Sequence, residues 1–296
     1  MILAAGLGTR LRPLTEKRPK ALMPVANQPI IAWVIEYLKA QGVSEIVVNA
    51  HHHHAQLLSY LDGGKPFGLP VQVRVEEEIL GTGGGIKNTE DFWDDAPFLV
   101  INGDILTDID LGEAYESHLK SHELVTLVLH HCEPFNQIQV DDRGNILDIA
   151  KQNMAGRLAF TGIHVISPAL LAHIPEGIFY DIIVCYQKLI SSGSQVRAFV
   201  SKGHSWRDIG SVQSYIEANR ELAGKRFVIG PGCEIDPSVK FEDWAVVGEK
   251  SVLEKGAEIR ASILWEGAKV RKDVKIVNSV VTGSREVTSD LAEQLY

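Results

Sequence analysis

Residues 1–29 read MILAAGLGTRLRPLTEKRPKALMPVANQP, and the order of residue types in this stretch decides the fold. Ile2 and Leu3 make the apolar end of a strand. Ala4, Ala5, Gly6, Gly8 and Thr9 then form a loop of small residues, with Arg10, Arg12 and Lys20 beyond it. Glycine and alanine let backbone N–H groups approach an anion that a larger side chain would obstruct. With the charge of Arg10 and Lys20 beside it, the loop reads as a polyphosphate cradle. Spacing excludes two familiar phosphate loops. A Walker A loop needs Lys-Ser or Lys-Thr after its last glycine, and a dinucleotide fingerprint needs a third glycine three residues after the second. GLGTRL, residues 6–11, has neither. A bare Gly-x-Gly turn uses glycine for steric reasons alone, so the loop takes its meaning from its surroundings.

Outward from the loop, Pro29 stands where a first helical residue belongs, and Ile30, Ile31, Val34, Ile35 and Leu38 recur at helical spacing until Gly42. Residues 45–50 then form an apolar strand. Strand, helix, strand predicts an α/β fold with a doubly wound, mixed but mainly parallel sheet, whose ligands gather at the carboxyl ends of its strands. The four histidines 51–54 have imidazoles fit for a transition metal, yet no Cys or Glu completes a familiar ligand spacing, and a strand-to-helix corner accounts for them. Residues 71–75 alternate as a strand and lead into Glu76, Glu77 and Glu78, then Leu80-Gly81-Thr82-Gly83-Gly84-Gly85-Ile86. The glycines strip side chains from the start of an expected helix and leave room for a flat ring, although an ordinary turn uses glycine too.

A buried-type strand over 98–101 ends at Asn102-Gly103-Asp104, which places an acid at a strand end facing the same crevice as the opening loop. Mg²⁺ takes such oxygen donors, while a turn or cap is the ordinary fate of Asp after Gly. Trp206-Arg207-Asp208-Ile209-Gly210 supplies a second acid just before a helix expected from Ser211. Between the acids, strands are expected over 124–129, 137–141, 146–149, 159–163 and 196–200, with a hairpin turn at 142–145 and a helix over 179–190. A helix over 212–222 closes this region.

From residue 227 the texture changes. Ile229, Ile235, Phe241, Val247, Leu253 and Ile259 recur every six residues and, after a slip of one, Leu264, Val270 and Ile276 continue the period. Six-residue spacing predicts a left-handed parallel β-helix, in which each side of a triangular coil contributes one inward aliphatic side chain, with roughly three turns. Successive hairpins would show a period of two instead. Residues 286–296 are expected as a terminal helix or a frayed tail.

The chain has 296 residues and a formal charge of −9, which argues against a nucleic-acid scaffold but leaves room for a small phosphorylated ligand held by local positive charge. Cys132, Cys185 and Cys233 are isolated in sequence, so neither a disulfide framework nor a zinc knuckle is indicated and a reducing cytoplasm is the expected compartment. No leader or membrane-spanning run is apparent, and a soluble protein is expected.

The spacing Gly6, Gly8, Thr9, Arg10, Pro13, Leu14, Thr15, Pro19, Lys20 and Pro24 resembles the signature loop of the sugar-1-phosphate nucleotidylyltransferases. Residues 82–86, 102–104, 160–163 and Gly203-His204 before Trp206 are most similar to the uridylyltransferases of N-acetylmuramate 1-phosphate. The repeat, down to SILWEG at 262–267, resembles the coil of mannose-1-phosphate guanylyltransferases. The resemblance implies a Mg²⁺-dependent enzyme that makes an NDP-sugar and pyrophosphate from a nucleoside triphosphate and a hexose 1-phosphate. It implies nucleotide binding by Leu3, Ala4, Ala5, Gly6, Gly8, Thr9, Gly81, Thr82, Gly83, Asn102 and Gly103, and catalysis by Arg10 and Lys20. Asp104 and Asp208 are implied as metal ligands, with Asn136, Lys151 and Gly162 at the sugar phosphate. Ala150-Lys151 stands where many relatives have Glu-Lys, and Phe135-Asn136 where a Tyr-Gly pair is common, so the sugar stays open. Uridylyl or thymidylyl transfer is placed ahead of guanylyl transfer. A non-catalytic NDP-sugar-binding subunit is the rival from another class. An acyltransferase lacks its expected base, since no His follows His204. The expected division is a catalytic domain at 1–224, a structural coil at 225–285 that promotes homo-oligomerisation or caps the catalytic domain, and a tail at 286–296.

Overall fold

The computed structural model describes residues 1–224 and 226–296, so the boundary expected at residue 225 falls outside the described residues. The chain forms two compact units, one of Met1–Leu7 with Val34–Trp206 and the other of Gly8–Trp33 with Arg207–Tyr296.

The first unit is built on a mixed sheet. Its strands in chain order are β1 (Ile2–Leu3), β2 (Ile46–Ala50), β3 (Val71–Val75), β4 (Phe98–Asn102), β5 (Val125–His130), β6 (Asn136–Val140), β7 (Ile146–Ile149), β8 (Leu158–Ile166) and β9 (Arg197–Val200). The spatial order is β7-β6-β8-β4-β1-β2-β3, with β5 pairing both β8 and β9. β1 lies between β2 and β4 and is parallel to both, and β2 is parallel to β3. β8 runs antiparallel to β4, which introduces the mixed half of the sheet. β2, parallel to both of its neighbours, is buried along its whole length, and so is β5, which runs antiparallel to β8 and parallel to β9. The helices of the chain are α1 (Ile30–Ala40), α2 (His54–Leu61), α3 (Gly81–Lys87), α4 (Leu111–Ser121), α5 (Ile182–Ser191) and α6 (Val212–Ala223), of which α2 to α5 lie wholly in this unit and α6 in the other. In α1 the spaced residues Ile30, Ile31, Val34, Ile35 and Leu38 are all buried, as their periodicity predicts. α4 and α5 are capped by Asp110 and Asp181, whose carboxylates accept from Glu113 and Ile183 N–H. A core of Val100, Leu127, Leu129, Ile166, Leu171 and Tyr186, among others, fills the space between sheet and helices.

The second unit is a parallel coil to which α6 and residues 8–33 are joined. One side of the coil stacks 227–229, 245–247, 262–264 and 280–281. The next stacks 234–235, 252–253, 269–270 and 286–287, and the third 240–242, 258–260 and 275–277. Val247, Leu253, Ile259, Leu264, Val270, Ile276, Val281 and Val287 are all buried in one core, so the six-residue period is the inward face of the coil. The slip in the period has a location. Lys240 pairs with Glu258 but Ala245 with Ser262, so one residue is lost at the corner where Asp243 and Ala261 adopt positive φ.

The tail differs from expectation. Residues 286–287 and 291–292 are short strands that pair with Lys269–Val270 and Lys275–Val277, and Val287 and Leu291 join the core. The stack leaves backbone donors and acceptors on its last turn, and pairing satisfies them where a helix would not. At the other end, Phe227 and Ile229 stay exposed at 42 % and 45 % because no earlier strand among the described residues covers them.

Within this unit residues 8–33 are fastened at several points. Tyr215 of α6 donates to Pro24 O at 2.7 Å and accepts from Trp265 Nε1 at 2.8 Å. Asn27 donates to Val247 O at 2.8 Å, and Asn219 accepts from Ala26 N at 2.9 Å. Arg18 pairs with Glu266 and lies over the Trp265 ring, 4.7 Å from its centroid.

Candidate active site

In the first unit, the expected phosphate loop and the Asn102 turn meet because β1 and β4 are parallel neighbours, with Leu3 opposite Asn102. Gly103 N–H donates to Leu3 O at 2.8 Å, and a Cβ on Gly103 would lie 2.9 Å from that oxygen, so only glycine permits the approach. Asp104 follows at the carboxyl end of β4, half-buried. Gly6 is exposed and nothing lies within 4 Å of where its Cβ would be, which leaves its backbone open to a ligand. Gly162 sits at a register break between β8 and β5 with φ +76°, and its missing Cβ would meet Asn102 Nδ2 at 2.6 Å. Gly162 therefore belongs beside the Asn102 turn for a steric reason.

The glycine run 83–85 is closely packed. A Cβ on Gly83 would lie 3.1 Å from Ile182 N, one on Gly84 2.6 Å from Ile178 O, and one on Gly85 2.6 Å from Asn49 Nδ2. Tyr180 O accepts from both Gly83 and Gly84 N–H, at 2.8 and 3.1 Å. The run is buried against protein: residues 178–182 fill the space beside Gly83 and Gly84, and Asn49 and Glu76 the space beside Gly85. Gly81 and Thr82 remain half-exposed at the front of α3, where Thr82 accepts from Ile182 N.

Asn136 and Lys151 stand apart from these strand ends in their contacts. The Asn136 side chain is buried, accepting from Cys132 N at 2.9 Å and donating to Glu133 Oε1 at 3.0 Å, which closes the turn into β6. Lys151 is exposed in the turn after β7. The histidine run forms the expected corner: His51 Nδ1 is 2.8 Å from Glu76 O, and α2 begins at His54. Near the Trp206 segment, His130 Nδ1 lies 3.2 Å from His204 Nε2, and His204 Nδ1 2.9 Å from Ser201 Oγ. Burial, helped by His204 and His131, lowers His130 to about 4 and keeps it neutral. Trp206 Nε1 donates to Thr161 O at 2.9 Å, tying the start of this segment beside Gly162.

In the second unit, Gly8 has φ +62° and its backbone carbonyl accepts from Thr15 Oγ1 at 2.8 Å. A Cβ there would meet Thr15 Cγ2 at 3.0 Å and Lys20 Cβ at 3.4 Å. The loop thus folds over Thr15 and Lys20, and buried Leu11, Leu14 and Ala21 hold it. The Arg10 guanidinium and the Asp208 carboxylate face one spot: a Cβ on Gly210 would lie 2.7 Å from Asp208 Oδ2 and 3.0 Å from Arg10 Nη2. Gly210 makes room for both groups, and its signal in the sequence is the glycine two residues after the acid.

Asn49 and Glu76 were missed by sequence reasoning. Asn49 is the one polar residue in the otherwise apolar strand β2, and Glu76 is the buried member of an acidic triplet whose other two are exposed. Among the described residues no group of three or more His, Cys, Asp or Glu is arranged to hold a metal, and no helix is long and apolar enough to cross a membrane.

Strand-end loops with a glycine-opened backbone, an acid after the fourth strand and a C-terminal parallel coil define a nucleotide-handling α/β protein. Residues 1–225 match the nucleotidyl transferase family, and the chain belongs to it. Among its relatives, the UTP–glucose-1-phosphate uridylyltransferase of Synechocystis is 28 % identical over 96 % of this chain and 87 % of its own length. A probable mannose-1-phosphate guanylyltransferase of rice is 29 % identical over 95 % of this chain and 85 % of its own. The solved structure of HddC from Yersinia pseudotuberculosis complexed with GMP-PN superposes with a TM-score of 0.66 at 25 % identity, covering 75 % of this chain and 97 % of that one.

Proposed function

We propose that the protein joins a nucleoside triphosphate to a sugar 1-phosphate, giving an NDP-sugar and pyrophosphate. The observation that carries this reading is the interlock of the loop after β1 with Asn102-Gly103-Asp104 at the ends of adjacent parallel strands. The relatives' names supply the substrate class. A sugar phosphate dianion is already nucleophilic, so the barrier is repulsion between two anions, and positioning with charge neutralisation is the chemistry required. Backbone N–H groups of Ala5, Gly6, Gly8 and Thr9 would receive phosphate, with Leu3, Ala4, Asn102, Gly103 and the Gly81-Thr82-Gly83 front of α3 around the nucleoside. Arg10 would neutralise the departing pyrophosphate, and Lys20 would draw the sugar phosphate to the α-phosphorus. Gly162, Lys151 and, through its turn, Asn136 are proposed on the sugar phosphate side.

Asp104 and Asp208 are the proposed ligands of Mg²⁺. Mg²⁺ takes carboxylate oxygens and commonly keeps waters and substrate phosphates as further ligands, so one or two acids suit it. When bound, Mg²⁺ supplies charge neutralisation at the phosphates. Uridylyl or thymidylyl transfer is the first reading. Guanylyl transfer is the second, supported by the rice relative's name. We propose a catalytic region at 1–224 followed by the coil from 225 to 285 and its closing segment to 296. A homo-oligomer through the coil is supported by the exposed Phe227 and Ile229. A cytoplasmic location is supported by three unpaired cysteines.

Pyrophosphate release, measured for five nucleoside triphosphates against several hexose 1-phosphates with Mg²⁺, tests the reading. Arg10→Ala and Asp104→Asn should each lower turnover by about 10²-fold or more with the fold intact, the scale of losing one preorganised charge-stabilising group. Activity within a few-fold of the unmodified protein in either variant would remove the assignment. Failure of every substrate pair would favour an NDP-sugar-binding subunit.

A further inference from the structure

Asn49 and Glu76 are 2 % and 3 % exposed, lie 27 positions apart, and make a continuous chain of hydrogen bonds inside the first unit. Ala4 N–H donates to Asn49 Oδ1 at 2.7 Å, Asn49 Nδ2 donates to Glu76 Oε1 at 2.7 Å, and Leu80 N–H donates to Glu76 Oε2 at 2.9 Å. The chain therefore begins on the loop after β1 and ends on the residue that precedes α3. Its direction is fixed by chemistry. The two backbone groups at its ends can only donate, so Asn49 must turn its oxygen to Ala4 and its amide nitrogen to Glu76. Glu76 then receives a donor at each oxygen. The backbone of Glu76 is itself held: its N–H donates to Ala50 O at 2.7 Å and its carbonyl meets His51 Nδ1 at 2.8 Å.

Gly85 is the third part. A Cβ there would lie 2.6 Å from Asn49 Nδ2 and 2.8 Å from Glu76 Oε1, so the last glycine of the run makes the room in which the pair sits. A buried polar pair that served packing alone could be exchanged for apolar residues of equal volume. This one terminates on backbone N–H groups of two loops, both assigned to the nucleotide.

We infer that Asn49 and Glu76 form a strut of fixed polarity that sets the separation of the phosphate loop from the Gly81-Thr82-Gly83 loop, and that both are positioning residues for the nucleoside triphosphate. The inference rests on the nucleotide site proposed above.

Three full-length variants test it: E76Q, N49D and the double variant N49D/E76Q. E76Q sets an amide NH₂ against either Leu80 N–H or the Asn49 amide. N49D sets two carboxylates face to face. In the double variant the acid at position 49 accepts from Ala4 and from the new amide at 76, whose oxygen accepts from Leu80, so all three bonds and the net charge return. Each single variant should raise KM for the triphosphate about tenfold, the size of one unsatisfied buried donor, and leave KM for the sugar phosphate within about twofold. The double variant should return to within about threefold of the unmodified enzyme, since coupled neighbours deviate from additivity. An unchanged triphosphate KM in E76Q, an equal rise of both KM values, or a double variant no better than the singles overturns the strut. Amide exchange separates this outcome from failure of the proposed function. Peptides covering residues 1–9 and 77–86 should exchange faster in both single variants and regain protection in the double, whether or not pyrophosphate is released. Unaltered exchange in the single variants also overturns the inference.

Discussion

Arg10 and Asp208 show how much of a site one absent methyl group can decide. Both side chains reach the place a Cβ of Gly210 would fill, so Gly210→Ala should disturb them without touching any substrate. Three histidines make a separate statement about acid. His164 is buried against the Tyr186 hydroxyl and lowered to about 3, His130 is lowered to about 4, and His118, set between Thr126 and Ser167, is lowered as well, burial being the first cause in each. His164 and His130 stay neutral in the folded protein and take up a proton on unfolding below the ordinary value of 6.5, and His118 shifts in the same direction. The unfolded state thus binds more protons, and stability falls as pH drops from about 6.5 towards 4, by about 1.4 kcal/mol per pH unit for each fully neutral histidine. Above pH 7 the effect vanishes. Denaturant titrations between pH 4.5 and 8 should show this slope, and His164→Gln should reduce it by about one proton's worth; an unchanged slope would contradict the assignment. Single residues were legible where a strand end exposed them. Asp104 stood out because it follows glycine at the end of an apolar strand, whereas Asn49 and Glu76 acquire their meaning only from each other across two elements.

At the scale of elements, α3 carries the sharpest expectation. Replacing glycine by alanine inside a helix ordinarily stabilises it by roughly 1 kcal/mol. At Gly84 the added methyl would meet Ile178 O at 2.6 Å, so Gly84→Ala should instead destabilise by about 1–3 kcal/mol. The sign, read by thermal or urea unfolding, decides whether the run serves packing or flexibility; a gain in stability would return it to an ordinary turn. The same element shows what a local sequence pattern leaves out. The composition GTGGG announces space, but its occupant, residues 178–182, lies about a hundred positions away and is named by no local pattern. The coil was legible for the opposite reason, because each turn repeats the burial of the one before it and the period survives in the sequence. Only its last segment was misjudged: two-residue strands at 286–287 and 291–292 are too short to show any period.

For the whole molecule, the division of the chain matters more than its length. Residues 8–33 pack in the unit of the coil, through Arg18 on Glu266 and Trp265, Asn27 on Val247, and Pro24 on Tyr215. Trp265 is buried and shares its indole N–H with the Tyr215 hydroxyl, so Trp265→Ala should cost the second unit about 3–5 kcal/mol. Deleting residues 225–296 removes every one of these supports except Tyr215 and Asn219. Under the proposed function, the truncated chain should lose turnover at least about tenfold, because the segment bearing Arg10 and Lys20 loses its fixed position. Full activity in a truncated monomer would show that the coil serves assembly alone. The sequence showed two textures meeting near residue 225 but not this arrangement, since nothing in residues 8–33 resembles a coil.

The fastening of residues 8–33 also bears on recombination between relatives. A coil exchanged at one crossover near residue 225 would arrive without its partners for Arg18 and Asn27, and the hybrid gene would encode a mismatched seam. Crossovers after residues 7, 33 and 206 would move the anchored segment, α6 and coil together. Chimeras of that second kind should yield folded, active protein where single-crossover chimeras yield aggregates, and expression of matched pairs of both designs measures the difference.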